Sequence, residues 1–203
     1  MKIDYEKLRE AQVVRLGKGK KLLLHACCAP CSTACLERLV PDVTTTVFFD
    51  NPNMDTEEEY IKRAEEERRF LKEAYGGAVG FIEEDYGNAD FCRIAVGEEN
   101  APEGGSRCSK CFNLRLSRTA RFAAENGFDC ITTTLTVSPY KNAPLLNEIG
   151  ERVAKECGVE WIYCDFKKKN GFLRSTELSE KYGLYRQNYC GCIYSKNRLK
   201  DAE

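Results

Sequence analysis

Short apolar runs alternate along this chain with stretches whose apolar positions recur at helical spacing, a pattern that predicts strand followed by helix several times over. Leu22-Leu23-Leu24 is continuous rather than alternating, as in a strand covered on both faces of a parallel sheet. Pro30 then enforces a turn, and Ser32 or Thr33 is the expected cap of a helix running toward Pro41. Residues 44–49 read as a second strand ending in the turn Asp50-Asn51-Pro52-Asn53. Asp55 or Thr56 opens a helix carrying Tyr60, Ala64, Leu71 and Ala74, which Gly76-Gly77 ends. A third strand is expected at residues 79–82, and residues 86–105 lack periodicity and read as an irregular connection or a small insertion. Cys108 and Cys111 open a helix that runs to Asn126-Gly127, followed by a Thr-rich strand at residues 130–135 and a polar loop at 136–142. A helix over 145–157 stops at Gly158 and leads to a strand at 159–164.

The expected class is therefore α/β: one domain, residues 1–203, with a parallel sheet flanked by helices. Residues 1–20 form an N-terminal helical extension, with the helix itself from Asp4 to about Leu16. Residues 165–203 form a segment with a short helix near 177–182 and an irregular cysteine-bearing ending. Gly17 and Gly19 precede a strand instead of following one and lack a third glycine, which rules out a dinucleotide fingerprint.

Open α/β sheets hold ligands in the crevice beyond the carboxyl ends of their strands. Three thiols stand there at once, in His25-Ala26-Cys27-Cys28-Ala29-Pro30-Cys31. Cys108 and Cys111 lie at a helix start beside Arg107 and Lys110, where the helix dipole and the cations favour thiolate. Four thiolates can hold a [4Fe–4S] cluster or a zinc ion. Cys190-Gly191-Cys192 would close a very small, strained and readily reduced disulfide ring, or act as a metal chelate. Cys35, Cys92, Cys130, Cys157 and Cys164 are isolated and read as small buried residues.

The charged start of the chain has no apolar signal region, and no run approaches the ~18 apolar residues of a membrane span. A cytoplasmic location is expected, where 12 cysteines are ligands, redox centres and buried residues rather than a disulfide scaffold. The net charge of −1 conceals an asymmetry, −7 over residues 1–103 and +6 over 104–203. The basic half can meet a polyanion or can simply be solvated helix faces.

The order of motifs resembles the QueH-type epoxyqueuosine reductases, which act without cobalamin in tRNA queuosine maturation. The resemblance runs from Lys21 to about Ser195. It rests on the His25–Cys31 and Asp50–Asn53 motifs, on Arg107-Cys108-Ser109-Lys110-Cys111-Phe112, on Thr133-Thr134-Leu135-Thr136-Val137-Ser138-Pro139-Tyr140-Lys141, and on Tyr189-Cys190-Gly191-Cys192. It implies a sheet like that of the PP-loop ATPases and adenine nucleotide α-hydrolases, a [4Fe–4S] cluster, a nearby metal ion, and reductive removal of an epoxide oxygen from a modified tRNA base. The glycines of a PP-loop are missing from the Cys27–Ser32 turn, so close backbone approach to a phosphate is lost. That weakens the rival reading as an iron–sulfur tRNA thiolase of the PP-loop class. A non-catalytic zinc adaptor is the other rival, and it predicts a colourless protein.

With this resemblance in hand, Cys27, Cys28, Cys108 and Cys111 are the expected cluster ligands. Cys190 and Cys192 are the expected redox-active pair. Cys31 and Asp50 are the expected ligands of a mononuclear iron that polarises the epoxide oxygen, with His25 and Lys141 as the next candidates for that task. Lys167, Lys168, Lys169 and Arg174 are expected to grip tRNA phosphates, with Phe172 and Tyr140 stacking on bases. An electron donor is required as a partner, and no membrane.

Overall fold

A computed structural model describes residues 3–200. Its core is a five-stranded sheet in the order β3-β2-β1-β4-β5, parallel at every pairing. The strands are β1 (Lys21–His25), β2 (Thr44–Phe49), β3 (Gly80–Glu83), β4 (Cys130–Thr133) and β5 (Glu160–Trp161). β1 is central, and Leu22, Leu23 and Leu24 are wholly buried. Each contributes roughly 2 kcal/mol by burial, which is why the middle strand is a continuous apolar run. The connections are the helices α1 (Tyr5–Leu16), α2 (Ala29–Leu39), α3 (Glu57–Tyr75), α4 (Ala89–Ala95), α5 (Ser106–Glu125), α6 (Ala143–Cys157), α7 (Gly171–Lys181) and α8 (Ile193–Lys200). α2 packs with α3 and α7, and α5 with α6. The strand order reverses direction on either side of β1, which leaves a crevice at the carboxyl ends of β1 and β4.

α2 starts at Ala29, earlier than a Ser32 or Thr33 cap requires, with Cys28 as its cap residue. Proline in the first turn has no amide hydrogen to lose and a φ already suited to the helix. The Ser32 hydroxyl instead lies within hydrogen-bond distance of the Cys28 carbonyl at 3.2 Å and of Glu67 Oε2 on α3 at 2.9 Å. β4 stops at Thr133, whose hydroxyl accepts from the Leu135 amide at 3.2 Å and turns the chain into a 3-10 segment, Thr134–Val137. β5 is likewise shorter than the 159–164 run. α4 and α8 fall where no helix was expected, and α7 begins well before residue 177.

α1 is tied to the rest of the fold by buried polar contacts. Glu6 receives Arg9 at 3.3 Å and Arg38 at 3.0 Å, and its other oxygen accepts from the Asp165 amide at 3.2 Å. Gln12 donates to the Trp161 carbonyl and accepts from the Tyr163 amide, both at 2.9 Å.

Glu67 is fully buried, and burial pushes its carboxyl up to about 8. The folded chain then binds a proton that the unfolded chain releases above about 4.5, so Glu67 stabilises the fold at low pH and this contribution is lost as pH rises toward 8. Glu67→Gln should remove a loss on the order of a few kcal/mol across that window, and denaturant unfolding of both proteins at pH 5 and pH 8 measures it. Equal pH slopes for the two would contradict the assignment.

Candidate metal and redox site

β1 delivers His25, Ala26 and Cys27 to the crevice, and the first turn of α2 returns Cys31 beside Cys28, 3.2 Å between sulfurs. Cys27 lies 3.8 Å from Cys28 and 3.8 Å from the Thr134 hydroxyl. These three thiols lie within 4.8 Å of one another, the one such group of three metal-ligating side chains among the described residues. Hydrogen bonds from Cys28 and Cys31 hold the Cys27 thiol well below its ordinary range, against burial, with the Arg115 charge adding to them; Cys31 is pushed well above. Cys27 is thus the thiol of the three that ionises most readily, and a bound metal would displace the protons of the group.

A second group of thiols gathers from distant parts of the chain. Cys108 and Cys111 on the first turns of α5, with Cys190 and Cys192, line a narrow cavity of about 20 Å³. The two groups share walls: Arg115, Lys141 and Cys190 border both this cavity and a crevice of about 430 Å³ that also holds Cys27, Cys28 and Cys31. Cys190 and Cys192 lie 3.5 Å apart and are not bonded to each other. A hydrogen bond from Cys192 brings the Cys190 thiol well below the ordinary range, aided by Lys141 and Ser195, while the same bond and burial push Cys192 up. Burial works against the Lys141 ammonium, but Cys190, Glu103 and Cys108 outweigh it and raise its pKa.

The loop between α7 and α8 is latched to the turn after β2. Gly191 O accepts from the Asp55 amide at 3.0 Å, and Asp55 takes the Tyr189 hydroxyl at 3.3 Å on one oxygen and Lys196 at 2.7 Å on the other. Gly191 sits at φ 108, and a Cβ there would lie 3.3 Å from Met54 and 3.4 Å from Arg63. Only glycine takes up that backbone without strain, and the constraint sets the direction of both cysteines.

Several expected residues are placed differently from the sequence reading. Cys31 stands with Cys27 and Cys28 as expected, but Asp50 is not part of that group and pairs with Arg118 at 2.6 Å. His25 is wholly buried and is pushed down to about 3 by burial and then by Arg115, so it is neutral at physiological pH and has no proton to give. Cys111 does not ionise easily: burial raises it to about 11. Its expected cations are engaged elsewhere, since Arg107 donates to the Glu98 carbonyl at 2.7 Å and Lys110 pairs with Glu98 at 2.6 Å. Cys92 is exposed on α4 rather than buried. In the basic group, Lys167 pairs with Asp165 at 2.6 Å, Lys169 with Glu10 at 2.5 Å, and Arg174 with Glu37 at 2.7 Å. Lys168 alone of the four has no carboxylate partner among the described residues, while Tyr140 and Phe172 line the crevice and are exposed.

Arg115 and Asn51 carry a structural role that the sequence reading did not single out. Arg115 Nε donates to His25 Nε2 at 3.3 Å, and Nη2 donates to Asn51 Oδ1. Asn51 Nδ2 donates to the Ala26 carbonyl at 3.0 Å. Because His25 Nε2 accepts, the neutral ring carries its hydrogen on Nδ1 and donates it to Thr133 Oγ1 at 2.8 Å. The signal for Arg115 was present in the spacing: positions 108, 111 and 115 fall on one face of a helix.

The comparisons with known proteins cover most of the chain. A family model described as Epoxyqueuosine reductase QueH matches residues 22–198. A protein named epoxyqueuosine reductase QueH from Streptococcus pyogenes serotype M1 is 41% identical over 201 residues, 96% of this chain and 78% of its own. One of the same name from Staphylococcus epidermidis is 41% identical over 202 residues, 96% of this chain and 85% of its own. The Thermotoga maritima protein of that name is 33% identical over 195 residues, covering 90% and 94%. With the matched region taking in both thiol groups and the turn that latches them, the chain belongs to the epoxyqueuosine reductase QueH family.

Proposed function

We propose that this chain reduces epoxyqueuosine at the anticodon wobble position of a tRNA to queuosine, with a [4Fe–4S] cluster on Cys27, Cys28, Cys108 and Cys111 and with Cys190 and Cys192 as the two-electron store. The observation that carries the reading is the position of Cys190, which borders both the open crevice and the inner cavity lined by Cys108 and Cys111. Supporting it are an all-sulfur donor set, the close approach of Cys27 and Cys28, and a positive residue, Arg115, between the two thiol groups.

Conversion of the epoxide to an alkene breaks two carbon–oxygen bonds, releases water, and consumes two electrons and two protons. Oxidation of the Cys190/Cys192 dithiol to the disulfide yields two electrons and two protons, so the step balances, and an external reductant restores the dithiol. When bound, the cluster supplies single-electron transfer. Cys190 is the member that reaches the crevice and the one that ionises first, which makes it the sulfur facing the substrate. Lys141, on the same crevice wall, holds a proton at Nζ for the departing oxygen. Cys31 is the thiol left to hold a mononuclear iron, which would supply Lewis acidity at the epoxide oxygen, and Asp50 would be its carboxylate ligand only on giving up its pair with Arg118. Tyr140 and Phe172 at the crevice rim stack on bases beside the wobble position, and Lys168 meets a phosphate.

The tight Cys27, Cys28 and Cys31 group also suits a single zinc ion, and metal analysis separates the two readings. Protein purified without air should be brown, with iron and sulfide near four of each plus one further iron. Cys108→Ala should lose the cluster, and retention of full iron, sulfide and visible absorbance by that variant would refute the ligand set. Cys31→Ala should lose about one iron while the cluster's spectrum persists, and a variant with its full complement would leave that thiol without a metal role. Alkylation of the intact chain before and after reduction should change the mass of the peptide holding Cys190 and Cys192 alone, and Cys192→Ser should abolish turnover of epoxyqueuosine-containing tRNA. A fully active Cys192→Ser variant would end the dithiol role.

A further inference from the structure

Among the described residues the other buried arginines give their hydrogen bonds to carboxylates or backbone carbonyls, and Arg115 does neither. Arg9 pairs with Glu6 at 3.3 Å, and Arg63 with Glu59 at 2.6 Å. Arg107 gives its hydrogen bonds to the Glu98 and Glu99 carbonyls and lies over the Tyr194 ring, 4.1 Å from the centroid. Arg115 is 4% exposed, has no carboxylate within 4.0 Å among the described residues, and meets only the neutral His25 ring and the Asn51 amide. The carboxylate that feels its charge, Asp50, is already taken by Arg118 at 2.6 Å. A buried charge without an opposite charge is costly, and proteins keep one where something else supplies the compensation.

Arg115 borders both the crevice holding Cys27, Cys28 and Cys31 and the cavity holding Cys108 and Cys111. We propose that Arg115 is the counter-cation of the thiolate-held centre, a positive charge that the fold leaves unmatched until metal and thiolates occupy the site. The inference rests on the cluster reading above. It makes Arg115 a positioning residue with an electrostatic effect: a cation beside thiolate-bound iron favours the reduced, more negative state and so raises the potential. It also makes the metal-free chain less stable than its burial alone would allow.

The test compares wild type with Arg115→Gln and Arg115→Lys, each purified without air, and each again after metal removal by a chelator. In Arg115→Gln the ratio of reduced to oxidised cluster at a fixed ambient potential should fall about tenfold, about 59 mV for a one-electron couple. Arg115→Lys should recover most of that ratio. Metal-free Arg115→Gln should melt above metal-free wild type, and the order should reverse in the metal-loaded proteins. A glutamine variant with full iron and an unchanged potential overturns the inference, as does one whose metal-free form melts below wild type. If Gln blocks cluster assembly while Lys permits it, the charge role stands; if both block it, the metal-free melting order decides. Wild-type protein without iron and sulfide would sink the cluster reading alone, because the metal-free order still judges Arg115.

Discussion

Arg115 reaches from the third turn of α5 across the ends of β1 and β2, and its two hydrogen bonds, to His25 and through Asn51 to the Ala26 carbonyl, hold three elements in one geometry. His25 extends the chain of contacts to Thr133 at the end of β4. The cysteine loop follows directly on His25 and Ala26, and Cys108 and Cys111 precede Arg115 on its own helix. The relative placement of the two thiol groups therefore depends on this buried polar knot. Such networks hold one geometry when their hydrogen bonds are made.

The C-terminal dithiol is positioned by different means. A loop between two helices has no sheet to hold it, so its place is set by Asp55, which takes a backbone, a hydroxyl and an ammonium contact from the segment Tyr189–Lys196. Gly191 lets the backbone pass close to Met54 and Arg63 where a side chain would press on both. The result is that residues far apart in the chain border one cavity without a covalent link. The latch contacts involve neither sulfur of Cys190 or Cys192, so both thiols are positioned without being bonded to it.

Charge was the least legible property of the sequence. Three lysines in a row and a nearby arginine read as a free polycation, yet Lys167, Lys169 and Arg174 each meet a carboxylate. Arg38 from α2 donates to the carbonyls of Lys168 and Lys169, which holds that turn against the fold. The same holds at the α5 start, where Glu98 draws Lys110 away from Cys111. Partners for long flexible cations come from distant parts of the chain, and local sequence carries no record of them.

What the sequence by itself determined is the local grammar: the central apolar strand, the second strand over residues 44–49, the stops at Gly76 and Gly158, the cysteine motifs at strand and helix ends, and through them the family. These are legible because periodicity, capping and turn chemistry act over a few residues. The tertiary structure alone decided the early start of α2, the helices α4 and α8, the pairing of Asp50 with Arg118, and the neutrality of His25. Each of those follows from burial or from a partner remote in sequence. Desolvation and long-range contact exist only once the chain has folded, and they outweigh the local preferences from which a sequence is read.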